Sequence, residues 1–495
     1  MPHASLPSVL TSLAASEPDQ IARLIDWLRI PSVSTDPAHR ADCRRAAEWA
    51  AEHLRTSGLA VELVETGDLT PSPGGPRGSG HPIVLATTPP PPGGWPKGTP
   101  HVLFYGHSDV QPADPLELWQ SPPFEPVRLP ASGTGPHAPG ERLVARGAVD
   151  DKGQVMCFLE AVRAWTRATG KPAGGARLTV LIEGEEESGS VNLERFVRDH
   201  AARLRADVCL ISDTGMLGRG RPAITYGVRG LVYTELVLHA ADQDLHSGLW
   251  GGKCPNPISE LTNVIAQLWD RDRRVTIPGF YDAVRPLTES ERAGWRSLGV
   301  DETASLRAIG LGPEASVGEA GYTFTEREWG RPTAEVNGII GGYTGVGAKT
   351  VIPAKASAKV SFRLVADQDP AKIREAFFAW VRERTPPGCR WELIDHGGGF
   401  GVTTPTDSAL LRAAVRALKT AGATMGVTAE PALIKSGGSI PVAGLLKSAL
   451  GLDTIFMGFG LEDDRVHSPN EKFELDCYRL GVRSHAAFIA ELLST

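Results

Sequence analysis

Two adjacent carboxylates, Asp150 and Asp151, sit between Gly147 and Gly153, just ahead of an apolar helical segment. A carboxylate can bind two metal ions at once, one per oxygen. A lone Asp-Asp pair is ordinarily a solvated turn. The company of this one points to chemistry: His107-Ser108-Asp109 lies upstream, and Glu185-Glu186-Glu187, Asp213, His246 and His467 lie downstream. Zinc accepts imidazole nitrogen and carboxylate oxygen at about 2.0–2.2 Å. His107, His467, Asp150, Asp213 and Glu187 would serve two metals if one carboxylate bridges. Two metals about 3.5–4 Å apart can activate water and clamp an anionic transition state. One acid must stay free of metal to take the water's proton, and adjacent Glu186 and Glu187 can divide those roles.

Each residue taken singly has a plainer alternative. His107 could be a hydrogen-bonded histidine at a strand end, and His467 a loop residue. Asp213 could cap a helix, the three glutamates could be a solvated acidic loop, and His246 could lie on the surface. What favours one shared site is placement. Apolar strand patterns cover 101–106, 177–182 and 207–212, and His107, Glu186, Glu187 and Asp213 follow them closely. In α/β sheets, reactive residues gather at the carboxyl ends of strands.

The remaining elements fit that frame. Helices are expected over 17–30, 39–58, 154–169 and 192–204, with further strands at 61–64 and 82–86. Strands alternating with helices predict an α/β domain with a largely parallel sheet. A polar loop rich in Gly, Pro and Ser spans 66–81. From about Tyr226 the texture changes to β, α, β, β, α, β, which predicts an inserted two-layer α+β domain. The first texture returns after Gly397, with helices over 408–421 and 477–493 and a strand over 454–458. The expected division is therefore 1–225 and 397–495 for a catalytic domain, and 226–396 for the insertion. The polar stretch 271–330 carries only a weak helical pattern.

Composition narrows the class. The chain has 495 residues, 41% hydrophobic and 22% charged, as in an ordinary globular protein. Its net charge of -7 offers no general field for nucleic acid or an anionic membrane. Six scattered cysteines form no CxxC pair, which fits reduced thiols and a cytoplasmic protein. No signal peptide and no membrane span are expected.

Several segments together resemble the M20 metallopeptidase family. They are Gly106–Pro112, Arg146-Gly147 with Asp150–Gly153, Glu183–Ser190, Ile211–Asp213, Asp244–Gly248, Gly347–Pro353, Gly437–Pro441 and His467–Glu471, in family order. The dipeptidase and carnosinase branch is the most similar, through the segments around His246 and Lys349 and the stretch 119–124. The resemblance implies an α/β zinc-peptidase-like catalytic domain with an inserted α+β lid that also dimerises. It implies two Zn2+ ions, with Mn2+ or Co2+ as possible substitutes. His107 and Asp213 would hold one metal, Glu187 and His467 the other, and Asp150 both.

The resemblance also makes Glu186 the general base and Asp109 the partner that orients His107. It implies a cis Asp150–Asp151 peptide. His246 would stabilise the oxyanion from a neighbouring copy's lid. Arg363 would grip the substrate carboxylate, and Ser436, Gly437 and Gly438 would let the backbone approach its C-terminal end. The implied reaction is amide-bond hydrolysis by a dipeptidase or carboxypeptidase. Two alternatives remain at this point: a deacylase of N-acyl amino acids with the same metals, and a metal-binding interaction protein without catalysis. The expected partners are a small peptide or N-acyl amino acid and a second copy of the chain.

Overall fold

The computed structural model describes residues 3–67, 80–132 and 140–494. Of the predicted polar loop 66–81, residues 68–79 lie outside the described residues. The chain divides into two compact units: Met1–Tyr226 with Thr404–Ile434 and Leu446–Thr495, and Gly227–Thr403 with Lys435–Leu445.

The first unit is built on four parallel strands: Arg177–Glu183, His101–His107, Val208–Ile211 and Thr454–Phe456, hydrogen-bonded in that order. Val102 to Tyr105, Val180 to Ile182 and Cys209 to Ile211 are all buried. Near-continuous apolar runs of this kind suit strands covered on both faces. Helices Lys152–Thr169 and Leu475–Leu493 pack on each other beside this sheet. Phe158 stacks on Phe104, and Trp165 donates its indole N–H to the Ala486 carbonyl at 2.9 Å.

The expected largely parallel sheet holds only in this centre. Strands Ala60–Val64 and Ile83–Thr87 join one side antiparallel, and Ala223–Val228 joins the other side antiparallel. A separate small sheet pairs Lys472–Glu474 with Arg142–Val144, and the latter with Val127–Leu129. These strands are too short to show alternation. The helix expected over 192–204 is broken into Leu193–Asp199 and Ala201–Leu204 at His200, and an unexpected helix spans Leu6–Ala15.

The second unit has the expected two layers. Its antiparallel sheet runs in the order Thr333–Gly341, Lys355–Leu364, Gly230–His239, Arg390–Gly399. Ala356, Ala358, Val360, Phe362 and Leu364 point to one face, as the two-residue period of a strand requires. That face meets Leu261, Val264 and Ile265 of helix Pro257–Ala266, and Ile373, Phe377 and Trp380 of helix Pro370–Arg382. The polar stretch 271–330 forms short helices, Glu289–Ser297, Glu302–Ala308 and Phe324–Gly330. Thr288 with Glu291 and Thr323 with Glu326 close the first and last as reciprocal caps. Among the described residues, no helix is long and apolar enough to cross a membrane.

Candidate metal centre

The carboxyl ends of the parallel strands carry the candidate donors. His107 closes its strand, Asp213 lies two residues past Ile211, and Glu183 is followed by the tight turn Glu186–Ser188. Asp150 precedes helix Lys152–Thr169, and its peptide bond to Asp151 is cis. Gly147 makes the approach to this turn with φ +81°, and a Cβ there would meet Val110 at 2.7 Å. His467 sits in the loop between Thr454–Phe456 and Lys472–Glu474, at φ 59°.

These donors fall into two groups: His107, Asp150 and Asp213, and Asp150, Glu187 and His467. Asp150 divides its oxygens between them. His107 Nε2 is 3.2 Å from Oδ1, and His467 Nε2 is 2.9 Å from Oδ2. Asp213 Oδ2 is 3.8 Å from His107 Nε2, and Glu187 Oε2 is 3.4 Å from His467 Nε2.

The donors fit cations. Ligands about 2.0–2.2 Å from a tetrahedral zinc stand about 3.3–3.6 Å from one another. His107 Nε2 is buried and, although 3.2 Å from Asp150 Oδ1, has no partner in hydrogen-bond geometry among the described residues, an expensive state for a polar atom. The electrostatics also show a surplus of negative charge. Burial, joined by Asp150 and Glu187, pushes the Asp213 carboxyl up to about 7. Burial, joined by Asp213, Glu187 and Asp109 and opposed by His107, pushes Glu186 up to about 9. Hydrogen bonds to Asp150 and Glu187 raise His467 to about 10. Burial opposes the charged form of His107, but Asp109 and Asp150 hold its pKa well above the usual imidazole value. A nearby cation would relieve all the crowded carboxylates at once.

The supporting residues surround these donors. Asp109 meets His107 Nδ1 first through its backbone carbonyl, at 3.1 Å. The carboxylate stands 3.4 Å from that nitrogen and accepts from the backbone N–H groups of Glu186 and Glu187, at 3.3 and 3.0 Å. Glu185 turns away from the donors, and its buried carboxylate holds the His81 N–H and the Asn192 side chain. Gln111, unassigned from sequence, donates to Glu187 Oε2 at 2.8 Å. Asp151 Oδ2 accepts from the His107 N–H at 3.2 Å. The buried Arg146–Glu471 ion pair, 2.8 Å, also lacked a reading, although both residues lie inside segments the sequence marks out.

The other candidate residues belong to the second unit. Arg363 donates to Ser439 Oγ at 2.7 Å, and among the described residues it forms no ion pair with a carboxylate. Burial lowers its pKa. Ser436 Oγ accepts from the Gly438 N–H at 3.1 Å. Gly437 is held at both ends, its carbonyl by Arg229 Nε at 2.9 Å and its N–H by Glu328 Oε1 at 3.3 Å. A Cβ at Gly437 would meet Arg229 Nη2 at 2.7 Å. His246 is exposed, and its Nδ1 accepts from the Gly248 N–H at 3.0 Å.

An α/β unit that presents two cation-sized donor groups sharing one carboxylate, with a spare glutamate beside them, belongs to the class of metal-dependent hydrolases. The chain is a member of peptidase family M20/M25/M40, whose model matches residues 103–491. It is 32% identical to the Cys-Gly metallodipeptidase DUG1 of Saccharomyces cerevisiae, over 98% of each chain. It is 30% identical to the human Beta-Ala-His dipeptidase, over 99% of this chain and 93% of that one. The solved structure of the yeast di-peptidase Dug1p superposes with a TM-score of 0.79 at 29% identity, covering 100% of both chains.

Proposed function

We propose that the protein is a dipeptidase that hydrolyses the amide bond of small peptides at a centre of two zinc ions, with manganese or cobalt as possible replacements. The observation that carries this reading is the two-sided Asp150, whose oxygens face separate donor groups beside the half-buried Glu186. His107 and Asp213 would hold one ion, Glu187 and His467 the other, and Asp150 would serve both. Bound there, such ions would supply Lewis acidity toward water and the substrate carbonyl.

Glu186 takes the proton of the attacking water and delivers it to the leaving amine. Asp109 keeps Glu186 and Glu187 in place through their backbone N–H groups. Arg363 binds the substrate carboxylate, and Ser436, Gly437 and Gly438 receive its C-terminal end. The second unit serves as lid and dimerisation domain, and its His246 supports the oxyanion of a neighbouring copy. Six free cysteines support a cytoplasmic location, since reducing compartments keep thiols unpaired. The named relatives favour substrates of the Cys-Gly or β-Ala-His kind over N-acyl amino acids.

The test is a substrate panel on metal-defined, size-resolved protein. Cys-Gly, β-Ala-His and other dipeptides should be cleaved faster than N-acetyl amino acids, by a dimer. Glu186→Gln should keep both metals and lose about 10²–10⁴-fold in kcat. Preference for N-acetyl amino acids would overturn the dipeptidase reading. Full activity of Glu186→Gln at normal metal content would overturn the base.

A further inference from the structure

Glu471 lies four residues after His467 and is completely buried. Both its oxygens are used twice. Oε2 accepts from Arg146 Nη1 at 2.8 Å and from the Gly147 N–H at 2.9 Å. Oε1 accepts from the Val149 N–H at 2.9 Å and the Asp150 N–H at 3.1 Å. The backbone joins in: the Ala145 N–H donates to the Glu471 carbonyl at 3.1 Å, and Lys472 pairs with Val144 in the small sheet.

The ladder between these two segments therefore ends at residue 145, and the Glu471 side chain continues it. It satisfies three buried N–H groups of the turn that delivers Asp150. Among the described residues those three donors have no other acceptor, so without Glu471 they would be left unpaired. The same carboxylate anchors the end of the segment on which His467 stands, four residues past it. Asp150 Oδ2 and His467 Nε2, 2.9 Å apart, come from loops that this one side chain ties together.

We infer that Glu471 is a positioning residue that sets the Asp150 carboxylate in register with His467, and so holds the shared ligand between the two metal positions. The inference rests on the metal-centre reading of Asp150 and His467. Arg146 completes the device: its guanidinium balances the charge of Glu471, and its Nη2 reaches the Pro112 carbonyl at 3.1 Å.

Glu471→Gln keeps the shape but replaces one acceptor oxygen with a donor, so it faces N–H groups with N–H. Chelator competition on the apoprotein reloaded with Zn2+, and the visible absorption of the Co2+ form, read the metal positions without relying on activity. The variant should fold, by its circular dichroism, bind metal about 10–100-fold more weakly and show an altered Co2+ spectrum. Its kcat on the preferred dipeptide should fall with KM little changed, and Glu471→Asp, which keeps the charge, should recover part of each loss. A folded Glu471→Gln protein with the parent's chelator midpoint and spectrum overturns the inference. If Glu471→Gln does not fold, Glu471→Asp decides by the same two readouts. Failure of both to fold makes the residue structural only and also overturns it. A parent protein that binds no metal defeats the metal-centre reading first, which separates the two failures.

Discussion

The Asp109 carboxylate accepts the backbone N–H of Glu187 at 3.0 Å, and its other oxygen takes the N–H of Glu186. Its backbone carbonyl meanwhile receives His107 Nδ1. One residue thus fixes a donor on one strand end and the acid pair on the next. Removing the carboxylate leaves two N–H groups without an acceptor, in a site whose walls are buried. Asp109→Ala should lower kcat by about 10–100-fold, with weaker metal retention at the position proposed for Glu187. Metal analysis after dialysis, alongside steady-state kinetics, checks this. Unchanged kcat and metal content would show that the turn holds its shape unaided.

The two oxygens of Asp150 face different groups, whereas Asp213 approaches only the His107 group. Asp150→Asn should therefore weaken both metal positions together, and Asp213→Asn mainly one. Each loss should exceed the roughly 10–100-fold that follows removal of a merely supporting hydrogen bond. Chelator titrations of the two variants distinguish the patterns. A single-site loss in Asp150→Asn would remove its bridging role.

Much of this arrangement was legible in the sequence because His107, Glu186, Glu187 and Asp213 each follow a buried, apolar strand, and parallel strands bring their carboxyl ends to one edge. The two-layer second unit was legible from the run of β, α, β, β, α, β after Tyr226, and the structure shows the period-two burial of such a strand at 356, 358, 360, 362 and 364. What stayed hidden was work done by the main chain. Nothing in the residue order tells that Asp109 serves His107 through its carbonyl, or that Glu471 answers three backbone N–H groups. The short helices of 271–330 hid for another reason. Seven to nine residues give too little periodicity, and only the paired signals Thr288 with Glu291 and Thr323 with Glu326 mark where two of them start.

Arg363 is half-buried, bonded to Ser439, and without an ion-paired carboxylate among the described residues. A substrate carboxylate would supply that partner. Charge-assisted hydrogen bonds contribute about 1.5–3 kcal/mol, so Arg363→Ala should raise KM by roughly 10–150-fold for a dipeptide with a free C-terminus. A C-terminally amidated dipeptide should be poor for the parent and nearly indifferent to the substitution. Equal effects on the free and amidated substrates would show that Arg363 does not read the carboxylate.

His485 gives a pH dependence separate from the metal centre. It is fully buried, edge-on to Phe158 and Phe459, with Nε2 2.9 Å from Ser212 Oγ. Burial alone pulls its pKa down to about 3. The unfolded chain would protonate near 6.5, so it takes up a proton before the folded protein does. The neutral imidazole's contribution is fully present above pH 6.5 and declines as pH falls from there toward 3. The slope is about 1.4 kcal/mol per pH unit for one proton. His53 and His101, each lowered to about 4 chiefly by burial, act in the same direction in parent and variant. Their effects cancel when the parent is compared with His485→Gln. Denaturant unfolding should therefore show the parent losing roughly 2 kcal/mol relative to the variant between pH 7.5 and 5.0. Parallel stability curves would mean that His485 takes up its proton inside the fold, against the aromatic rings that surround it.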